Sequence, residues 1–147
     1  MTRELPTSLL MAIAAREAEN RIFAAMQAAG YTDITLAQSR LAAGIDPGGT
    51  RLSVLAERAQ VAKQTATALV DRLEAAGYVD RVQDPSDGRA RLVRLTERAL
   101  AGLPAVRAEE QRIEQEWEAH LGTARMAALR EALTMLRTIT DPWAPAP

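Results

Sequence analysis

The fold is decided by residues 51–96, which read RLSVLAERAQVAKQTATALVDRLEAAGYVDRVQDPSDGRARLVRLT. In the first half of this stretch, apolar residues at helical spacing predict one helix that opens at Ser53 and a second over residues 63–76. Gly77 follows the second helix. Glycine suits this place because the chain must turn sharply there, and a left-handed conformation strains any residue that has a Cβ atom.

The second half of the stretch predicts a β-hairpin. Residues 78–83 and 90–95 are rich in Val, Leu and Tyr, and they flank a turn-forming run, DPSDG, at residues 84–88. Two helices joined by a tight turn and followed by a hairpin make a winged helix-turn-helix. We therefore predict a fold that is mainly α with a small antiparallel β wing.

The composition is that of one ordinary globular domain. The chain has 147 residues, of which 48% are hydrophobic and none is cysteine. The lack of cysteine excludes disulfides, cysteine-based zinc sites and thiol redox sensing. The sequence also has no apolar run of about 18 residues and no N-terminal targeting signal, so we expect a cytoplasmic protein that does not contact the membrane.

Positive charge is concentrated in the winged-helix stretch. The formal net charge of −1 argues, by itself, against a nucleic-acid binder, since affinity for DNA comes largely from counterions released by phosphates. Residues 51–98, however, hold 9 basic and 7 acidic groups, whereas acidic groups are in excess on both sides of them. This small local excess is compatible with DNA binding.

Helices are predicted on both sides of the stretch. Before it, residues 5–29 form a long amphipathic helix closed by Gly30, and residues 35–43 form a shorter helix capped by Asp33 or Thr35. After it, the pattern stays helical for about forty residues.

Two interruptions divide the C-terminal helical region. Gly102 and Pro104 lie within the first helical pattern, and a bend or break is expected there because proline removes a helical hydrogen bond. Gly122 then separates a last helix, whose expected N-cap is Thr123. The tail, residues 141–147, cannot continue a helix and is expected to fray.

The sequence thus predicts three parts. Residues 1–32 form an N-terminal dimerisation helix, residues 33–98 a winged helix-turn-helix DNA-binding domain, and residues 99–147 the C-terminal dimerisation helices with the tail. The long ends cannot all bury their apolar stripes against one small winged helix, so we predict that they pack on a second copy in a two-fold homodimer. The alternative is a helical subdomain that covers the same surface within one chain.

The chain resembles the MarR family of bacterial transcription regulators. The residues that carry the resemblance are DITLAQSRLAA at 33–43, LAERAQVAKQTATALVDRLEAAGYVDR at 55–81 and the wing sequence DPSDGRARLVRLT at 84–96. The resemblance implies a triangular homodimer whose recognition helices enter consecutive major grooves of double-stranded DNA while its wings reach the minor grooves. It also implies a repressor released by a small phenolic or otherwise anionic effector, whose binding residues the sequence does not identify.

The second helix of the stretch corresponds to the family's recognition helix. Its apolar residues must face inward, which leaves polar side chains outside. Gln64 can pair with an adenine edge through two hydrogen bonds, and threonine can bond a base or touch a thymine methyl group. Lys63, the only lysine in the chain, suits a phosphate contact, although exposed lysines are commonly just solvated. The candidates on this helix are Lys63, Gln64, Thr65, Thr67 and Arg72.

The wing supplies three further candidates. Arg89 matches the family arginine that inserts into the minor groove, where a narrow A·T tract concentrates negative potential. Asp87 is expected to orient Arg89 by a charge-assisted hydrogen bond, and Arg91 is expected on the outer face of the strand. The alternative is a surface turn with an ordinary ion pair, which contributes little.

Some positions depart from the family pattern. Family members commonly carry glycine in the turn before the recognition helix and serine or threonine as its cap, but Gln60 and Ala62 stand there. This turn should therefore be less favourable. Ala68 replaces a longer base-contacting side chain, and Pro104 puts the straightness of the dimerisation helix in doubt.

Two other classes of function fit the sequence less well. An enzyme is disfavoured because the lone His120 has no nucleophile or second histidine at suggestive spacing. The pair Glu110 and Glu114 shares a helix face, but a solvated acidic helix explains it better than a metal site, so no cofactor or metal is expected. The remaining alternative is a winged-helix dimer that serves as a protein-interaction scaffold without reading DNA.

Overall fold

The computed structural model describes residues 4–144, which form seven helices and one two-stranded antiparallel sheet. In chain order the elements are α1 (Thr7–Ala28), α2 (Leu36–Ala42), α3 (Leu52–Ala59), α4 (Lys63–Ala75), β1 (Val79–Asp84), β2 (Asp87–Leu95), α5 (Glu97–Leu100), α6 (Leu103–Leu121) and α7 (Thr123–Thr140). The predicted fold class, mainly α with a β wing, is confirmed. Residues 145–147 of the tail expected to fray lie outside the described part.

The chain divides into two compact units, one up to Arg107 and the other from Ala108. The first unit contains α1 to α5 and the sheet, and the second contains most of α6 and all of α7. Within residues 4–144, no helix is both long enough and apolar enough to cross a membrane.

Local capping explains where several helices begin and end. Thr35 is the N-cap of α2, and it forms a capping box in which its hydroxyl accepts from the Gln38 backbone while the Gln38 side chain accepts from the Thr35 backbone. Thr35 is therefore the cap, rather than Asp33. Gly30 after α1 and Gly77 after α4 both have the predicted positive φ, at 101° and 81°.

Two predicted helix starts are wrong. Helix α3 begins at Leu52, and Arg51 rather than Ser53 occupies the position before it. Helix α7 begins at Thr123 itself, and its N-cap is Gly122 with φ 89° and ψ 153°. A capping threonine must lie outside the helix, and here a glycine in a conformation that favours glycine takes that place.

The predicted break at Gly102 and Pro104 is confirmed. Helix α5 ends at Leu100 and α6 begins at Leu103, so Pro104 lies in the first turn of α6. A proline is tolerated there because its missing N–H would have no helical partner anyway. Pro104 therefore gives no reason to expect a kink within α6. Gly102 is buried, and a Cβ atom there would lie 3.2 Å from the ring of Tyr31.

The hydrophobic core of the first unit fixes α4 in place. The inward residues Ala66, Val70 and Leu73 of α4 are completely buried, as is Leu55 of α3. Side chains from α2, α3, both strands and the intervening loops complete the cluster: Ile34, Leu41, Ile45, Ala56, Tyr78, Val79 and Val93. One face of α4 is thereby held by the core, and the opposite face is left for another function.

The turn before α4 is strained in the way that the sequence predicts. Gln60 has φ 55° and ψ 44°, and no other non-glycine residue in the range 4–144 has a positive φ. The Gln60 amide donates to the Glu57 carbonyl at 2.7 Å, which partly compensates. Ala62 is the N-cap of α4 and gives no side-chain cap bond. The turn is therefore built without the two residues that favour it.

Replacing Ala62 by serine should stabilise the protein. A serine hydroxyl at this N-cap would accept from one of the first N–H groups of α4, which raises the free energy of unfolding by about 1 kcal/mol. Urea unfolding would measure the change. Ala68→Ser, an exposed substitution in the middle of the same helix, is the matched control and should be neutral or slightly destabilising. An Ala62→Ser variant no more stable than its parent would contradict this account of the cap.

Candidate nucleic-acid interface

The outward face of α4 carries most of the predicted recognition residues. Lys63, Gln64, Thr65 and Arg72 are exposed, together with Ala68. Their orientation is as predicted, because the core holds the opposite side of the helix. Their role as DNA contacts stays a prediction.

Thr67 and Asp71 on this helix are already engaged within the protein. Thr67 is half-buried, and its hydroxyl donates to the carbonyl of Lys63 at 2.9 Å. Asp71 forms an ion pair with Arg81 of β1 at 2.6 Å, and Arg81 also pairs with Glu74 at 3.0 Å. Thr67 is therefore a weaker candidate for base contact than Gln64 or Thr65, since its hydroxyl hydrogen is used.

The wing is a tighter hairpin than the sequence suggests. Asp84 of β1 pairs with Asp87 of β2, so only Pro85 and Ser86 form the loop. The register shifts between Gln83 and Asp84, because Gln83 pairs with Arg91. Residues 88–90 of β2 are left in a bulge. Arg89 therefore lies in this bulge, next to the loop rather than at its tip, and its side chain is exposed.

The predicted bond between the Asp87 carboxylate and the Arg89 guanidinium is wrong. Asp87 instead accepts from the backbone N–H of Arg89 at 3.1 Å, as an aspartate in a turn commonly does. Its second carboxylate oxygen lies 3.7 Å from the guanidinium of Arg51. Asp87 thus orients the backbone of Arg89 and leaves its guanidinium available.

The basic residues between 51 and 98 separate into two groups. Five form ion pairs with carboxylates: Arg51, Arg58, Arg81, Arg94 and Arg98. The other four form no ion pair with any residue in the range 4–144: Lys63, Arg72, Arg89 and Arg91. All four of these were among the predicted DNA-binding residues. They occupy the exposed face of α4 and the outside of the wing, which leaves their charge uncompensated there.

A half-buried contact between Arg51 and Asp84 could not be seen in the sequence. The Asp84 side chain is 8% exposed, and its Oδ2 accepts from Nε and Nη2 of Arg51 at 3.0 and 2.8 Å. Its Oδ1 accepts from the backbone N–H and the hydroxyl of Ser86 at 2.9 and 2.7 Å. These bonds from Ser86, and then those from Arg51, lower the pKa of Asp84 to about 2.

This lowered pKa predicts an acid-dependent loss of stability. The pKa of Asp84 is about 2 in the folded protein against an ordinary value of 3.8, so its stabilising effect is complete above 3.8 and is lost as the pH falls toward 2. In Asp84→Asn this part of the acid dependence should be missing. The difference between the urea midpoints of parent and variant should shrink as the pH is lowered over that interval. A difference that stays constant would contradict the assignment.

A second network absent from the sequence patterns joins the segment before α2, the residue before β1, and α5. Tyr78, which follows the C-terminal turn of α4, donates its hydroxyl hydrogen to Asp33. Arg98 donates to the same carboxylate at 3.2 and 3.0 Å, and its guanidinium lies 4.4 Å from the centre of the Tyr78 ring. Burial, and then the bond to Asp33, raise the pKa of Tyr78 to about 12. Asp33 therefore serves this network rather than the helix cap.

The second unit contains a groove between α6 and α7. The groove has a volume of about 280 Å³ and is lined by Glu114, Trp117, Met126, Leu129, Arg130, Leu133, Thr134 and Arg137. Glu114, one of the two carboxylates weighed as metal ligands, instead forms an ion pair with Arg130 at 2.6 Å. Glu110 and His120 are exposed.

Comparison with known proteins agrees with this architecture. Residues 32–90 match the model of the MarR family. This winged-helix part of the chain is similar to the MarR family. The matched residues contain α2, α3, α4, β1 and the first part of β2. No significant match exists among curated proteins.

Solved structures of transcription regulators share the fold over most of the chain. The apo form of MarR from E. coli superposes with a TM-score of 0.71 at 24% identity, covering 91% of this chain and 98% of that one. The transcriptional regulator PA4135 gives a TM-score of 0.68 at 27% identity, covering 92% and 99%. The PcaV transcriptional regulator from Streptomyces coelicolor, solved in complex with its natural ligand, gives 0.51 at 26% identity, covering 72% and 76%. The protein therefore has the fold of MarR-family transcription regulators.

Proposed function

We propose that the protein is a sequence-specific DNA-binding transcriptional regulator of the MarR type, which acts as a homodimer on a pseudo-palindromic operator. The observation that carries the proposal is a set of four cations on α4 and the wing that form no ion pair within residues 4–144: Lys63, Arg72, Arg89 and Arg91. In a chain of net charge −1, exposed cations without carboxylate partners among residues 4–144 give the surfaces that carry them an affinity for phosphate.

Helix α4 is the element proposed to enter the major groove. Gln64 and Thr65 are exposed at its N-terminal end, where a recognition helix presents side chains to base edges. Lys63 and Arg72 would bind phosphates and fix the position of the helix. Ala68 presents only a methyl group, so base recognition rests on the first turn of the helix, with Gln64 in the leading role.

The homodimer is supported by apolar rows that the single chain leaves exposed. Helix α1 has 22 residues and none of them is buried. Its exposed apolar residues are Leu9, Leu10, Met11 and Ile13, and those of α7 are Leu129, Leu133, Met135, Leu136 and Ile139. Rows of this kind mark interfaces, and their exposure disfavours an intrachain subdomain that covers them. A two-fold dimer would place half-sites about one helical turn, roughly 10 base pairs, apart.

The proposal further includes that the protein represses transcription and that a small ligand relieves this repression. Its support is the structural similarity to PcaV, which was solved with its natural ligand, together with the family resemblance of the wing and recognition helix. A phenolic or otherwise anionic effector is the class to test first. The proposal places the protein in the cytoplasm, where bacterial operators are accessible.

The deciding experiment is fluorescence anisotropy of the purified protein on DNA from upstream of its own gene. A scrambled duplex is the control, and two salt concentrations separate phosphate contacts from base recognition. Selective binding that weakens with salt would support the regulator, and phenolic ligands could then be screened for release. Equal, weak binding to both duplexes would call for selection of the operator from random sequences. Absence of binding at either salt would refute the proposal and favour the interaction scaffold.

A further inference from the structure

The guanidinium of Arg51 connects the helix-turn-helix to the wing. Arg51 stands directly before α3, yet its side chain reaches the hairpin loop. It donates twice to Asp84, at 3.0 and 2.8 Å, and lies 3.7 Å from the carboxylate of Asp87. One arginine therefore contacts both acidic residues that bracket the two-residue loop.

The backbone that carries Arg51 is itself fixed on both sides. On one side, Thr50 and Val93 exchange two backbone hydrogen bonds of 2.9 and 2.8 Å, so the preceding residue is attached to β2. On the other side, the carbonyl of Arg51 accepts from Leu55 at 3.1 Å, in the first hydrogen-bonded turn of α3. Arg51 cannot shift without disturbing the sheet or the helix, which makes it a firm support.

The contacts continue from the two carboxylates to Arg89. Asp84 also accepts two bonds from Ser86 of the loop, and Asp87 accepts from the backbone N–H of Arg89 at 3.1 Å. The strand ladder does not hold Arg89, because residues 88–90 lie in the bulge between the paired positions Asp87 and Arg91. The position of Arg89 therefore depends on the loop, which Arg51 supports, and on Gly88, whose carbonyl accepts from the Gln83 side chain at 2.9 Å.

We propose that Arg51 is a positioning residue for the wing, which holds the loop through Asp84 and Asp87 so that Arg89 presents its guanidinium to the minor groove. This inference rests on the proposed DNA-binding function. It assigns Arg51 a role through Arg89 and not through a DNA contact of its own.

The direction in which one substitution changes the affinity for DNA distinguishes a positioning role from a purely electrostatic one. Asp84→Asn removes a negative charge near the DNA-facing side, and on charge alone this change should strengthen binding to phosphate-bearing DNA. If Arg51 positions the wing through Asp84, the same change should weaken selective binding. Both Arg51→Gln and Asp84→Asn are expected to lower operator affinity about tenfold, as for the loss of hydrogen bonds between charged groups.

Arg94→Gln is the matched control. Arg94 also donates two hydrogen bonds to a wing aspartate, Asp80, both at 3.1 Å, and its side chain is 49% exposed against 44% for Arg51. The Arg94→Gln substitution removes the same charge and the same kind of ion pair as Arg51→Gln, but from the base of the hairpin rather than from its loop. Its operator affinity should stay within about threefold of that of the parent.

The double variant Arg51→Gln with Arg89→Ala tests whether Arg51 acts through Arg89. If it does, the double variant should bind as Arg89→Ala does alone, because the residue being positioned is already absent. Losses that multiply would show that Arg51 contacts DNA directly and would overturn the inference. Circular dichroism would verify that each variant is folded, and Asp84→Asn supplies the same test should Arg51→Gln fail to fold.

The proposed function and this inference fail in different ways. Selective binding by the parent that Arg51→Gln and Asp84→Asn leave unchanged would overturn the positioning role alone. A parent that binds neither the operator nor the scrambled duplex would overturn the regulator itself, and the positioning role with it.

Discussion

Replacing Arg89 by alanine is expected to cost roughly 1–3 kcal/mol of operator binding, or about one to two orders of magnitude in affinity. Arg89 is exposed, forms no ion pair with any residue in the range 4–144 and is carried on the bulge of the wing. Its charge is therefore available to the minor groove. The loss should be largest for operators with A·T-rich positions beneath the wing, because a narrow groove concentrates negative potential there.

Anisotropy titrations on matched duplexes would measure this loss. Changing the base pairs beneath the wing from A·T to G·C should weaken the parent but leave Arg89→Ala nearly unaffected. Arg94→Ala is the control, since Arg94 is already paired with Asp80 and should contribute little to DNA binding. An Arg89→Ala protein that binds as tightly and as selectively as the parent would show that the wing assignment is wrong.

Those parts of the fold that depend on local pattern could be predicted from the sequence. The apolar spacing of α4, the glycine after it and the threonine cap of α2 act over three or four residues. A linear pattern records them: the structure confirms the first two, and of the two predicted caps, Asp33 and Thr35, it shows Thr35. The unfavourable turn at Gln60 and Ala62 was predictable for the same reason, because one missing glycine and one missing cap are visible in the sequence.

The contacts that position the site could not be predicted in this way. Arg51 meets Asp84 across 33 residues, and Arg98 meets Asp33 across 65. No periodicity marks such pairs, because they form only after the core has brought their elements together. The bond assigned between Asp87 and the Arg89 guanidinium failed on the same ground, since the tightness of the loop decides which donor reaches the carboxylate.

The charges of the winged-helix stretch show how sequence patterns and contacts in the folded structure combine. The winged-helix stretch has an excess of only two basic groups, which is too small by itself to indicate a DNA-binding face. The structure shows which of the nine are neutralised by neighbours. Those that pair with no carboxylate in the described part of the chain are Lys63, Arg72, Arg89 and Arg91, which resemblance and helical position alone had already indicated. The composition of this stretch shows only a small excess of positive charge. The ion pairs in the structure show where that charge remains, which is on α4 and the wing.

Replacing Leu133 by aspartate is expected to separate the proposed dimer into monomers. Leu133 lines the groove between α6 and α7 and is 42% exposed in the single chain. It lies in the middle of the apolar row of α7. If a second copy covers this row, a carboxylate there would be buried without a partner, which is strongly unfavourable.

Ala127→Asp is the matched control for this change. Ala127 is an exposed residue of α7, six positions before Leu133 and therefore about 120° away around the helix, and it lies at least about 80° from every other residue of the apolar row. The control introduces the same charge and the same loss of helix propensity, but away from the apolar row. It should remain a dimer. Light scattering after gel filtration would give the mass of each variant, and circular dichroism would verify its helix content.

Loss of the dimer should also weaken DNA binding on the order of a hundredfold, because two linked recognition helices engage two half-sites with an effective concentration that a monomer lacks. The two measurements separate the possible errors. A Leu133→Asp protein that stays dimeric would place the interface elsewhere than on α7. A monomeric variant that retains the affinity of the parent would show that the dimer is not the DNA-binding form, and the operator would then not need the two-fold symmetry that the proposal requires.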